Sequence, residues 1–168
     1  MFRFVLIMLV LLVAGCGHHG NMASRGDGEL VGVVVDLGLT ADMDNAEMSQ
    51  RQLVADFMRR DLISRLRHLG YEVDSFEQRG DFVSGRGQSL LAVKIEHYRP
   101  GSKSAQMTVG FGAGSTGLYI SYSIIDETGS TLVSATDGVG SSRDWSSSCR
   151  VLNERLVKVL GSVLAMPN

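Results

Sequence analysis

The stretch Met107 to Asp126, MTVGFGAGSTGLYISYSIID, narrows the folds open to this chain more than any other. It contains Gly112-x-Gly114-x-x-Gly117, the spacing of a dinucleotide-binding turn, but the residues after Gly117 decide against that use. A pyrophosphate cradle needs the glycines to open a helix whose N-terminal N–H groups face the phosphates. Here Leu118, Ile120, Tyr122 and Ile124 instead alternate with Tyr119, Ser121 and Ser123. That period of two, rich in isoleucine, predicts a half-buried strand. No Lys-Ser or Lys-Thr comes after the glycines, so a Walker-type phosphate loop fails as well, and no Gly-x-Ser-x-Gly elbow occurs. The glycines then serve positive φ and close backbone approach in a connection between strands. Either the connection is plain, or Gly110, Phe111, Gly112, Gly114, Ser115 and Gly117 form a loop that contacts a partner. No nucleotide or other cofactor is expected.

The remaining periodicities build a sheet and two helices around that strand. Glu29 to Leu39 is valine-rich, with Val31, Val33, Val35 and Leu37 on one face. A helix ending near Leu69 comes next, with Val54, Phe57, Met58, Leu62, Leu66 and Leu69 as its apolar stripe and Gly70 as its stop. Two starts are open to it, Asp44 with Glu47 or Ser49 with Gln52. Its arginines, Arg51, Arg59, Arg60 and Arg67, are assigned to a solvated face, with a patch for lipid headgroups or anions as the alternative. Tyr71–Phe76 and Ser89–Tyr98 read as strands, and residues 77–88 as a loop. Asp126 to Gly129 is a tight turn leading to a strand over Ser130 to Thr136. A polar loop then precedes a helix over Ser147 to Leu164, striped by Cys149, Leu152, Leu156, Leu160 and Val163. Trp145 is expected at the edge of the core. The order implies an α+β fold, a two-layer sandwich with a mostly antiparallel four- to five-stranded sheet and two helices on one face. The first strand–helix–strand unit alone invites a parallel or split pair.

The N-terminus speaks to location. Arg3 precedes the unbroken apolar run Phe4 to Val13, too short to span a bilayer, which needs ~20 residues. A positive start, a short apolar centre and small residues at the end make a secretory signal. Leu12-Val13-Ala14-Gly15-Cys16 resembles the lipobox of bacterial lipoproteins. That resemblance implies cleavage after residue 15 and lipidation of Cys16, with residues 16–28 a lipidated flexible tether and residues 29–168 a single domain. In that class an aspartate after the cysteine favours the inner membrane. Gly17 stands there instead, which implies an outer-membrane anchor facing the periplasm.

Charge and residue chemistry exclude more than they assign. The chain carries a formal net charge of −2, and loss of Arg3 with the leader makes it more negative. Nucleic-acid binding needs a basic surface, so no nucleic-acid partner is expected. With Cys16 acylated, Cys149 has no intrachain partner and reads as a small buried apolar residue. His18 and His19 have no further ligand at metal-binding spacing, so no metal is expected. His97 and Tyr98 read as a half-exposed pair at a strand end rather than as catalytic groups. No nucleophile, base and acid converge in the sequence, so an enzyme is not expected.

The stretch YRPGSKSAQMTVGFGAGSTGLYISYSIIDETGSTLVSAT also resembles the bacterial domain of unknown function 4410 family. Pro100-Gly101-Ser102, the run Gly110 to Gly114, Asp126 and its turn glycine Gly129 carry the likeness, and DFMRRDLISRLRHLGYEV fits the family upstream. The resemblance implies an envelope protein, often lipidated, with no catalytic residues to transfer. The function expected is a non-enzymatic accessory or assembly component of a cell-envelope complex, as a homo-oligomer or with another envelope protein. The alternative is a periplasmic lipid- or polysaccharide-binding module.

Overall fold

A computed structural model of the chain describes residues 29–101, 116–141 and 144–165. The elements are β1 (Leu30–Asp36), α1 (Asn45–His68), β2 (Glu72–Phe76), a 3₁₀ turn (Arg79–Asp81), β3 (Gln88–Arg99), β4 (Thr116–Ile125), β5 (Thr131–Ser141) and α2 (Trp145–Leu164). The strands form one sheet in the order β2-β1-β3-β4-β5.

The expected two-layer α+β architecture holds, with one correction to the sheet. It is mixed: β1 pairs in parallel with both β2 and β3, while β3–β4 and β4–β5 are antiparallel. Parallel neighbours require a crossover between them. Helix α1 supplies one crossover. Residues 77–87, which the sequence marks only as a loop, supply the other by carrying the chain past β1 to start β3.

Both helices pack on one sheet face. Val31, Val33, Val35, Leu91, Val93, Ile95, Leu118, Ile120 and Ile124 meet Val54, Met58, Leu62 and Leu66 of α1 and Leu152, Leu156 and Leu160 of α2 in one cluster. Each such side chain contributes about 1.5–3 kcal/mol on burial. The helices are also joined by polar groups. Asn153 Nδ2, on a fully buried residue, donates to Met58 O at 3.1 Å and to Asp61 Oδ2 at 2.8 Å. Trp145 does sit at the core edge, edge-on to Phe57 with ring centroids 5.4 Å apart.

Local chemistry fixes the element ends. Of the two starts open to α1, Asp44 is used: its Oδ1 accepts from Glu47 N at 2.8 Å. Gly70 ends the helix with φ +90°, a conformation that L side chains rarely adopt. Helix α2 begins at Trp145, two residues before the expected Ser147, because Asp144 Oδ1 accepts from Ser147 N at 2.9 Å and caps it there. In the β4–β5 turn, Asp126 Oδ1 accepts from Thr128 N, Thr128 Oγ1 and Ser130 N. Gly129 completes that turn at φ +82°.

Two further expectations are corrected. Strand β5 runs on through Asp137, Gly138, Val139, Gly140 and Ser141, which the sequence pattern leaves in a polar loop. Arg51, assigned to a solvated face, is 6 % exposed and lies at the buried side of α1.

A candidate interface on the open sheet face

The sheet face away from the helices is divided. One half carries a second small core of Val34, Leu90 and Ile125, covered by Phe76, Phe82 and Ala92. Phe82 comes from the crossover after β2 and meets Phe76 edge-on at 5.8 Å. Gly32 lies beneath these rings. A Cβ there would stand 2.9 Å from Phe76 Cε2 and 3.1 Å from Phe82 Cδ2, so the lid seats only over a bare backbone.

The other half is open. A β-bulge in β3 between Ile95 and His97 places two consecutive side chains, Glu96 and His97, toward this surface. His97 pairs with Tyr119 across the strands, their rings 6.1 Å apart and tilted. Tyr119 is 52 % exposed and lies against Gly138 on β5. An added Cβ at Gly138 would come within 2.3 Å of Tyr119 Cδ1, so this glycine is a seat for the ring. An aromatic laid over a strand glycine covers backbone that would otherwise lack a packing partner.

Polar groups surround that ring. Ser121 Oγ donates to Glu96 Oε1 at 2.6 Å, and Lys94 Nζ stands 3.4 Å from Glu96 Oε2. The Ser121 hydrogen bond, helped by Lys94, holds the Glu96 carboxyl below its ordinary range, so it is ionised at neutral pH. Beside this patch runs a groove of about 740 Å³, lined among others by Asp36, Gln52, Arg59, Lys94, Ser121 and Ser134. It opens where β2 stops: Phe76 is the last residue of β2 and pairs with Val34, leaving Val35 and Asp36 without a strand on that side.

The bulge is held from within by Arg51. Its Nη1 donates to Leu37 O at 2.9 Å, Gly38 O at 3.0 Å and Ile95 O at 2.8 Å, and its Nη2 to Glu96 O at 3.3 Å. A buried guanidinium is tolerated when its fork of donors is met by acceptors, and here backbone carbonyls meet it. Gly38 makes room at φ +60°, and Asp36 Oδ1 accepts its N–H at 2.8 Å. Arg51 thus ties α1, the end of β1 and the bulge of β3 into one unit, and the orientation of Glu96 and His97 depends on it.

The residues singled out in the sequence are scattered over the molecule. Gly117 lies within β4, paired with Arg99 and Gly140, and not in a loop. Gly110, Phe111, Gly112, Gly114 and Ser115 fall outside the described residues, as do Cys16, His18 and His19. The element after the glycine run is a strand, β4, as its alternation predicts. Cys149 is fully buried in the core, and burial, with the nearby Asp61 charge, pushes its thiol up to about 12. A thiol so placed is inert. Tyr98 points into the core and is raised by burial. Among the described residues no three His, Cys, Asp or Glu come together to hold a metal ion. No helix of the described residues is long and apolar enough to cross a membrane.

The alternation after Gly117 sets Tyr119, Ser121 and Ser123 apart from the apolar face, but the bulge, Arg51 and Gly138 have no place in that pattern. Arg51 carried a usable signal: it stands three residues before Val54 and seven before Met58, which is stripe spacing.

Solved structures that resemble this fold include the following three. A point variant of the PelC dodecamer from Paraburkholderia phytofirmans is 19% identical, with a TM-score of 0.48, over 84% of this chain and 92% of that one. The PelC dodecamer from the same organism in a second crystal form is 20% identical, with a TM-score of 0.41, over 85% and 91%. A neuraminyllactose-binding hemagglutinin homolog from Helicobacter pylori is 11% identical, with a TM-score of 0.36, over 83% and 85%. No curated protein sequence matches the chain. The family model described as domain of unknown function (DUF4410) matches residues 24–140, from ahead of β1 to the penultimate residue of β5. Helix α2 lies beyond the match but packs into the same core. The chain belongs to the domain of unknown function 4410 family.

Proposed function

We propose that this protein is a periplasm-facing lipoprotein, anchored through Cys16 in the outer membrane, that acts without catalysis as an accessory or assembly component of a cell-envelope complex. The observation that carries this reading is the open half of the sheet face. Tyr119 seated on Gly138, with His97, Lys94, Glu96 and Ser121 around it, makes a firm, shallow surface of mixed charge with an aromatic centre. Such a surface suits contact with a macromolecule, whereas small-molecule sites are concave and mostly apolar. Gly117 lies within β4, two residues before Tyr119.

The test is site-specific photo-crosslinking in intact cells, from Tyr119 and from Ser115. Capture of one envelope protein, or of a second copy of this chain, supports the reading and tells the two kinds of partner apart. Crosslinks to bulk lipid or to unrelated neighbours overturn it.

One observation favours a second reading, a polysaccharide-binding module. The groove beside the patch sets Gln52, Arg59, Lys94, Ser121 and Ser134, groups that hydrogen-bond hydroxyls, beside apolar Val34, Leu37 and Tyr122, a mixture that suits the polar edges and apolar faces of sugar rings. Retention of the protein on envelope polysaccharide, lost in Gln52→Ala with Ser121→Ala, supports that reading, and unchanged retention removes it.

A further inference from the structure

We propose that the outward face of the C-terminal half of α1 docks onto anionic phospholipid headgroups; this rests on the acyl-anchor reading above. Arg60, Ile63, Ser64, Arg67 and His68 line one shallow depression there. The other arginines of the helix are engaged. Arg51 is buried among carbonyls, Arg59 meets Glu77 at 3.2 Å and Arg65 meets Asp61 at 2.7 Å. Arg60 and Arg67 are exposed and donate only to backbone carbonyls, Asp56 O and Val73 O, each at 3.2 Å. Neither has a carboxylate partner among the described residues. Two such guanidiniums flanking an isoleucine match a surface of phosphates over hydrocarbon.

The course of the chain brings this face to the bilayer. Residues 17–28 separate Cys16 from the domain, and twelve residues reach no more than about 43 Å even when fully extended. The domain begins beside the basic end of α1. Glu72 N donates to Glu29 O at 3.2 Å, and Tyr71 N, one residue earlier, donates to Leu66 O in the last turn of α1 at 3.2 Å. The strand that leaves the tether and the helix end that carries Arg67 and His68 therefore share one end of the molecule. An anchor at Cys16 holds this face within reach of headgroups whose field decays over ~10 Å at 0.1 M salt.

The test uses the full acylated chain in phosphatidylcholine vesicles, with and without phosphatidylglycerol, carrying a lipid-borne quencher. A dye is placed at Ser64→Cys or, on the opposite layer, at Ser134→Cys; buried Cys149 does not compete for the label. The proposal expects the Ser64 dye to be quenched at least two-fold more than the Ser134 dye in phosphatidylglycerol vesicles. The difference should vanish in 0.5 M salt. Each of Arg60→Gln and Arg67→Gln should weaken the docked state roughly five-fold at low salt. Both side chains are exposed, so the variants keep the core. Equal quenching at the two sites, or quenching indifferent to phosphatidylglycerol, overturns the docking face while leaving the anchor intact. A chain that fails to sediment with vesicles of either composition overturns the anchor, and the docking face with it.

Discussion

Gly38 and Gly138 look alike in the sequence, yet the structure asks different things of them. At Gly38 an added Cβ would lie 1.9 Å from Ile95 O, a backbone atom fixed by the Arg51 clamp, and φ is +60°. At Gly138 the obstacle is the ring of Tyr119, a half-exposed side chain and not fixed backbone. Gly38→Ala should therefore cost about 3 kcal/mol or more in urea unfolding, since strain and lost clamp bonds add. Gly138→Ala should stay within about 1 kcal/mol but unseat Tyr119, and so lower crosslinking from the open face. Similar losses at the two positions would contradict the clamp. Neither role was legible beforehand. A glycine in a polar stretch reads as loop, and an arginine reads as solvated until its carbonyl partners are known. The spacing of Arg51 placed it on the buried stripe all the same. Its charge argued the other way, and no sequence pattern announces four backbone acceptors converging on one guanidinium.

At the scale of elements, periodicity told most where one face is apolar and the other wet. Both helix stripes and the alternation of β4 lie as their spacing predicts, because burial enforces period and register together. Legibility failed where an element is held by something outside itself. Strand β5 extends over Asp137 to Ser141 because β4 offers a full ladder to pair with, although its own residues are poor strand formers. The parallel pairing of β3 depends on a crossover held by Phe82 over Gly32, by Glu77 against Arg59 and by Gly87 N donating to Glu127. Caps were easier to see, being local, and one of them gives a pH test. The Asp144 carboxyl is held below its ordinary 3.8 by the Ser147 N–H first, then by the Ser146 hydroxyl. A lowered folded value means that its stabilisation is present above the unfolded value and is lost as pH falls through the folded one. Asp144→Ala should lower Tm by a constant amount from pH 8 to pH 5, and the gap to the parent chain should close below pH 3.8. A gap that persists at pH 2 would show that the cap does not act through its charge.

Over the whole molecule, the two proposed contacts fall on different layers. The exposed arginines of α1 lie on the helix layer, while Tyr119, His97 and Glu96 lie on the far side of the sheet, so a headgroup contact and a macromolecular contact do not compete. This arrangement needs a rigid spacer between the surfaces, and the sheet centre provides it. β1 is paired on both sides, and Val31, Val33 and Val35 are at most 1 % exposed. β5 instead ends the sheet, with Thr131, Leu132, Ser134 and Thr136 exposed. In an antiparallel edge strand every second N–H points away from its neighbour and is left to solvent or to an added strand. Native-state hydrogen exchange should therefore separate the two. The amides of Val31 to Val35 should exchange only through global unfolding, with the urea dependence of the whole domain, and the outward amides of β5 should exchange many orders of magnitude faster with almost none. If the β5 amides were as slow as those of β1 in the isolated protein, a partner strand would already cover that edge, and a second copy of the chain would be the source. Slowing of the same amides only in envelope-bound protein would instead place the captured partner on β5, next to the Tyr119 surface.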